Sequence, residues 1–285
     1  MERLHNLFLA NIVRLWKSRL IGIGVLIFSG TALLLCCDHY HYFIDTMVLD
    51  GVFFGYVYIA GIPVSVLAGL FLGVEYGDGA IRNKLIAGHK RRTIYLANFL
   101  AVFASSLLMS LSYVIMIAAV GIPMFGGLKS DWQIILLMIL QSILTLCAVS
   151  AVFTMVGMLF QNKAVSAVLC LLLVFSLQGL TISIDSSLRI PEFFDNSYYM
   201  HGMTEEEEME EYSLVGKRNP NYVGGTKRVV YEFINDFNPI SQGLQIADMF
   251  EEHPKHMARL PLYSLILIFG VTGEGIYLFG KKDIK

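Results

Sequence analysis

The sequence predicts an all-α polytopic membrane protein: six transmembrane helices, an N-terminal interfacial helix and a helical extracellular loop before the last span. Three observations lead there. Only 15% of the 285 residues are charged, against about 25% in a soluble domain. The deficit is gathered into six apolar runs, Leu20–Cys37, Gly51–Val74, Tyr95–Pro123, Gln133–Phe160, Ala164–Ile184 and Leu260–Phe279, each near or above the roughly 20 residues a helix needs to cross a bilayer. The cations are uneven as well. With the N-terminus inside, 13 of the 21 Lys and Arg residues fall on the inner side; seven of the eight outer ones lie in a single long loop, where the positive-inside rule weakens. Six spans return the C-terminus to the starting side, so the expected location is the plasma membrane, with both termini cytoplasmic and residues 1–285 forming one membrane domain.

Residues 1–19 open the chain. Leu4, Leu7, Phe8, Ile12, Leu15 and Trp16 recur at helical spacing, and Arg14, Lys17 and Arg19 lie off that face. The pattern fits an interfacial amphipathic helix, or the inner start of the first span. Cys36 and Cys37 close the first run, and Cys147 and Cys170 lie inside later ones; they read as buried thiols rather than a disulfide framework. Leu35 stands where a lipoprotein signal needs a small residue, so no signal cleavage is expected.

In the second run Gly61, Ser65, Gly69, Gly73 and Gly77 recur every four residues. Small residues at this spacing let another helix approach closely, and in lipid close packing is what holds helices together. The partner is either a helix of this chain or a second copy. Pro63 is expected to kink this span and Pro123 to end the third. The third and fourth runs exceed the minimum length, which implies tilt.

Residues 185–259 are the one sizeable soluble region. The acidic run 204–212 contains Thr204 and Glu207 in capping-box spacing. Asn219-Pro220-Asn221 and Gly224-Gly225 read as turns. Val230, Phe233, Ile234 and Phe237, then Ile240, Leu244, Ala247 and Met249, suggest two amphipathic helices separated by Asn238-Pro239; they are expected to rest on the outer face or cap the bundle.

Chemical motifs are sparse. No GxxxxGK[ST] phosphate loop occurs, and Gly224-Gly225-Thr226-Lys227 lacks its spacing, so no ATPase is expected in this chain. Asp38-His39-Tyr40-His41 and Glu252-His253-Pro254-Lys255-His256 are weak metal candidates, and no metal is expected. Among ionisable groups only Glu274 lies inside a span, where such residues mark ion pathways; pairing with an elbow cation such as Arg82 is the structural alternative. Asn98, Gln141 and Gln178 are expected to bond between helices.

The elbow between spans 2 and 3, residues 75–93, is the chain's basic focus. It holds Arg82, Lys84, Lys90, Arg91 and Arg92. Asp78 is placed as the N-cap of a short helix over 79–87, with Gly88 as its stop. Ile81 and Leu85 share a face, while Arg82 and Lys84 lie off it. An apolar ridge with a basic flank suits the groove of another protein; an ordinary positive-inside loop also fits.

This elbow, EYGDGAIRNKLIAGHKRRTIYLANFL, resembles the first cytoplasmic loop of type-2 ABC exporter permeases. Glu75, Gly79, Ile81, Leu85, Arg91 and Tyr95 match; Ala80 stands where the family usually has Thr. NPISQG at 238–243, the closing FGKKDIK, the amphipathic N-terminus and the six-span layout are similar too. The resemblance implies a coupling loop in which Glu75, Asp78, Gly79, Ile81, Arg82 and Leu85 engage a separate cytoplasmic ABC ATPase subunit. It implies a second permease copy or paralogue, and ATP and Mg bound by the ATPase rather than this chain. Substrates in the family are peptides such as bacteriocins, drugs, lipids and polysaccharides. The lipid bilayer is the remaining partner, and no nucleic acid is expected. The rival readings are a stand-alone secondary transporter, a membrane-embedded enzyme, and a sensor or immunity protein binding a peptide through the outer loop.

Overall fold

The computed structural model describes residues 2–42, 49–194, 216–248 and 257–283. The Thr204–Glu207 capping box, the acidic run, Met249 and the pair His253 and His256 lie outside the described residues. The protein is an all-α polytopic membrane protein, with six helical segments among the described residues long and apolar enough to cross a membrane.

Helix α1 (Glu2–Trp16) is separate from span 1, α2 (Arg19–Tyr42). The break falls at Lys17-Ser18, where the Ser18 hydroxyl donates to the Leu15 carbonyl at 2.6 Å and so competes with helix continuation. Leu7, Asn11 and Leu15 are buried on α1, while Trp16 points outward.

Span 2 runs from Asp50 to Gly77 in three pieces: α3 (Asp50–Phe53), α4 (Tyr56–Ile59) and α5 (Gly61–Gly77). The last interruption, at Ala60, lies three residues before Pro63, whose ring opposes the preceding turn. The elbow helix α6 (Ala80–Ile86) follows.

Span 3 corrects the expectation for Pro123. Helix α7 (Arg91–Met116) passes through a π-helical turn, Ile117–Gly121, into α8 (Ile122–Phe125), and Pro123 sits in the first turn of that last piece. The wider turn just before the proline takes up the ring and the missing N–H, so the span continues. It stops at Gly126, at φ +81°.

Spans 4 and 5 are α9 (Trp132–Leu159) and α10 (Lys163–Arg189). Asn162 caps α10, its side-chain oxygen accepting from the N–H groups of Ala164 at 2.9 Å and Val165 at 3.3 Å. Helices α11 (Gly225–Phe237) and α12 (Pro239–Ala247) precede span 6, α13 (Leu260–Lys281).

Spans 2, 3 and 4 bury 44–61% of their apolar windows and spans 1, 5 and 6 only 22–28%, so the first three form the centre and the others flank it. The glycine stripe is used inside the chain. A Cβ on Gly69 would lie 2.9 Å from Ala167 Cα, and one on Gly73 2.7 Å from Lys163 Cα; both are backbone atoms of span 5. A Cβ on Gly61 would meet Ile240 of α12 at 2.6 Å. Ser65 is buried and bonds its own helix, and Gly77 has open space around it.

Two findings refine the expectation that these helices rest on the outer face or cap the bundle. In α11, Val229, Val230 and Phe233 are exposed whereas Asn235 and Asp236 are buried, so polar residues face the protein and much of the apolar side faces outward. Helix α12 is sunk among the spans: Pro239 to Gly243 and Ile246 are buried, and a Cβ on Gly243 would lie 2.9 Å from the Val57 carbonyl oxygen. Asn238 caps it and donates to Leu177 O at 3.0 Å and Thr181 Oγ1 at 2.9 Å, fixing it to span 5.

The bundle thus has two ends. The basic end carries α1, the elbow, the link between spans 4 and 5, and the C-terminal residues. The loop end carries α11, α12 and the remaining connections.

Candidate functional site

The elbow is built by two glycines. Span 2 closes with the Asp78 N–H on Val74 O at 2.9 Å and the Gly79 N–H on Tyr76 O at 3.0 Å. Gly79 then adopts φ +67° and stands at the N-cap position, without a side-chain cap. This corrects the expected role of Asp78, which ends the preceding helix instead; its exposed carboxylate lies 4.0 Å from the Arg14 guanidinium. The left-handed turn that reverses the chain is open to glycine at little cost. At the other end, the Gly88 N–H bonds Leu85 O at 2.9 Å and the His89 N–H bonds Lys84 O at 3.1 Å, with Gly88 at φ +81°. This is a Schellman closure.

Within this short helix the residues divide. Ile81 is fully buried and Leu85 packs partly buried beside the core. The apolar ridge expected to face a partner is therefore turned into the protein's own bundle, because the helix is too short to stand away from it. Arg82, Asn83 and Ile86 remain outside, and Ile86 is 75% exposed.

Beneath the elbow lies a polar node. Glu75 is completely buried, and its two carboxylate oxygens receive Arg14 from α1 and Lys84 from α6. Lys84 Nζ also donates to Asn11 Oδ1 at 2.9 Å; Asn11 Nδ2 donates to Asn98 Oδ1 at 2.6 Å, and Asn98 Nδ2 reaches Met158 Sδ at 3.3 Å. Five helices, α1, α5, α6, α7 and α9, are joined in this way. Burial lowers the Lys84 pKa from the ordinary lysine value, and the charge and hydrogen bond of Glu75 pull it part of the way back. A buried carboxylate of this kind needs its cations, since removing one partner of a buried pair costs about 3–5 kcal/mol.

A second clamp closes the same end. Lys282 Nζ donates to the Leu159 carbonyl at 2.7 Å and the Met158 carbonyl at 3.2 Å, placing a cation at the C-terminus of span 4, where the helix dipole favours it. Arg91, at the start of span 3, donates to the carbonyls of Phe279 and Lys282. The ends of spans 3, 4 and 6 are held to one another.

The remaining predicted residues are more scattered. Arg82 and Glu274 are both exposed, and neither has an ion-pair partner among the described residues; the proposed pairing is not made. Asn98 and Gln141 do bond between helices, Gln141 Nε2 reaching Ser264 Oγ at 3.1 Å. Cys36 and Cys170 are buried, Cys147 is half-buried and Cys37 is exposed. His39 packs edge-on against Phe125, with ring centroids 5.4 Å apart.

Sequence reasoning missed Asn11, Arg14, Lys84 and Lys282 as structural partners. The signal for Asn11 was present: it stands between Leu7 and Leu15 on the stripe of α1, where a polar residue needs a buried partner. Nothing local marked Lys84 as folding back onto Glu75. No protein-family model matches the chain, and no curated protein matches it.

Proposed function

We propose that this chain is the membrane subunit of an ATP-driven exporter, with its basic end in the cytoplasm and the elbow as the docking surface for a separate ATPase subunit. One observation carries the reading. The elbow helix is fastened to α1 and to spans 2, 3 and 4 through Ile81 and the Glu75 node, yet offers Arg82, Asn83 and the exposed Ile86 outward. A push on Ile86 would be passed to the bundle centre rather than absorbed by a loose loop. The resemblance of residues 75–95 to type-2 exporter permeases supports the same reading. ATP and Mg belong to the partner, a second copy or paralogue completes the pathway, and the substrate moves away from the basic end.

The test is co-purification from native cells in mild detergent. The unaltered protein is expected to bring down a soluble ATPase with a Walker A motif. Ile86→Asp should lose it while keeping its size-exclusion profile, and Arg82→Glu should weaken it. Ile81→Asp should instead lower the yield of folded protein. Retention of the ATPase by both elbow variants sinks the docking assignment, and its absence from the unaltered protein sinks the exporter reading.

A stand-alone secondary transporter is favoured by one feature, the Glu274 carboxylate exposed on span 6. In that case Glu274→Gln abolishes ion-driven flux in ATP-free vesicles.

A further inference from the structure

At the loop end, span 1, the broken start of span 2 and α12 enclose a cavity of about 390 Å³. Its floor is apolar: Leu35, Val52, Ile59 and Leu244. Its polar lining is Thr31, Asp38, His39, Tyr58 and Asp248, with Asp38 exposed. Thr31, at the inner limit, lies seven residues before Asp38 on α2, about 10 Å at 1.5 Å per residue. The cavity therefore runs from an acidic rim down into the apolar slab.

The space has a structural origin. Span 2 is broken between Phe53 and Tyr56, and Gly51 and Gly55 border the space, the Cβ position of Gly55 being taken by Tyr113 Oη at 2.7 Å. Interrupted spans beside a cavity are how helical transporters make room for ligands at membrane depth.

The charges select the occupant. Asp38 is exposed and has no ion-pair partner among the described residues. Asp248 bonds Arg189, whose guanidinium is shared with Asp185 at 2.6 Å. Among the described residues the lining thus sets Asp38, beside the His39 ring that packs on Phe125, next to the Arg189–Asp248 pair. An anionic headgroup is repelled here, and a neutral tail leaves the rim unanswered. An ammonium group gains Asp38 and the face of Tyr58 while its tail fills the apolar floor.

We propose that this cavity binds a small cationic amphiphile, one ammonium group on an apolar tail, from the loop end of the bundle. The site is separate from the elbow and does not depend on an ATPase partner.

The experiment uses the full chain in phosphatidylcholine nanodiscs with dodecylamine carrying a diazirine in its tail, followed by peptide mapping. Labelling is expected on peptides spanning residues 31–59 and 239–248. It should saturate and be competed by dodecylammonium but not by dodecanoate. Asp38→Asn should weaken the competed fraction about tenfold, the scale of one charge pair near a protein surface. Ala247→Phe, which fills the cavity, should abolish it; Ile59→Trp serves if that variant does not fold. Equal labelling by a diazirine dodecanoate, or competed labelling that persists in the filled cavity, overturns the proposal by showing only lipid-like coating of the surface. Loss of ATPase co-purification in the elbow variants has no bearing on this outcome.

Discussion

The two ends of the bundle solve the problem of burying polar groups in different ways. At the basic end a full carboxylate, Glu75, is buried and answered by two cations, Arg14 and Lys84. Towards the loop end the buried acid Asp50 accepts backbone N–H groups instead, those of Lys129 at 2.9 Å and Ser130 at 3.2 Å, and the cluster that joins the spans is neutral. Gln242 accepts from Ser264 at 2.7 Å and Thr145 at 3.3 Å and donates to Asp236 O at 2.8 Å, while Gln141 bonds Ser264 and Thr145. The difference is one of depth. Glu75 lies in the last turn of its span, where Arg14 is partly exposed and water is near. The Gln242 cluster reaches Gln141 and Thr145 in the third and fourth turns of span 4 and Ser264 in the second turn of span 6, where a buried charge costs more and amides and hydroxyls are the usual glue. A fully buried carboxylate therefore joins the helices at the basic end, whereas the loop end combines the neutral Gln242 cluster with the partly exposed Arg189–Asp248 pair that ties span 5 to α12.

Substitutions can break or sharpen this contrast. The largest effect is expected at Glu75. Glu75→Ala strands Lys84 in a buried site and should cost about 3–5 kcal/mol of stability, read as a lowered thermal unfolding midpoint in detergent. Glu75→Gln combined with Lys84→Met should recover much of it, because the uncompensated charge is gone. If Glu75→Ala unfolds no earlier than the unaltered protein, the node is not a structural joint. Gln242→Leu should cost less, about 0.6–2 kcal/mol, the range for hydrogen bonds between helices in membranes. An effect as large as that at Glu75 would erase the distinction between the two ends.

The smallest effect is expected at Lys282, whose pKa burial pushes down to about 8 from the ordinary lysine value of 10.5. Between those values the unfolded chain holds a proton that the folded chain has released. The penalty of the buried ammonium is thus full below about pH 8 and fades as pH rises towards 10.5. The unfolding midpoint of the unaltered protein should climb over that interval relative to Lys282→Gln. A parallel course for the two proteins would show that Lys282 is not held in its carbonyl cage.

Much of the architecture was legible in the chain because hydrophobic length is a local quantity. The six runs predicted the six spans, and the structure extends most of them by only a few polar residues at the ends. The reversal at Gly88 and the break at Asn238-Pro239 were readable because glycine and proline act through their own backbones. Pro123 was misread, since a π turn ending two residues upstream is not written into the proline itself. Asp78 was misread because two adjacent residues compete for one cap, and Gly79 alone takes the left-handed turn. The sense of α11 was also hidden: a helical period shows that one face is apolar, not whether that face turns inward or outward.

By itself the sequence determined the class, the span count, the basic bias of one end and the position of the elbow, all of which follow from the transfer of contiguous residues out of water. Tertiary structure alone decided which faces became interior. It turned Ile81 inward and left Ile86 out, brought Lys84 back to Glu75, sank α12 against Val57, and pressed Gly69 and Gly73 onto span 5. These are contacts between residues far apart in the chain, and in an apolar medium they are chosen by close packing and by the need of each buried polar atom for a partner, which no local pattern contains.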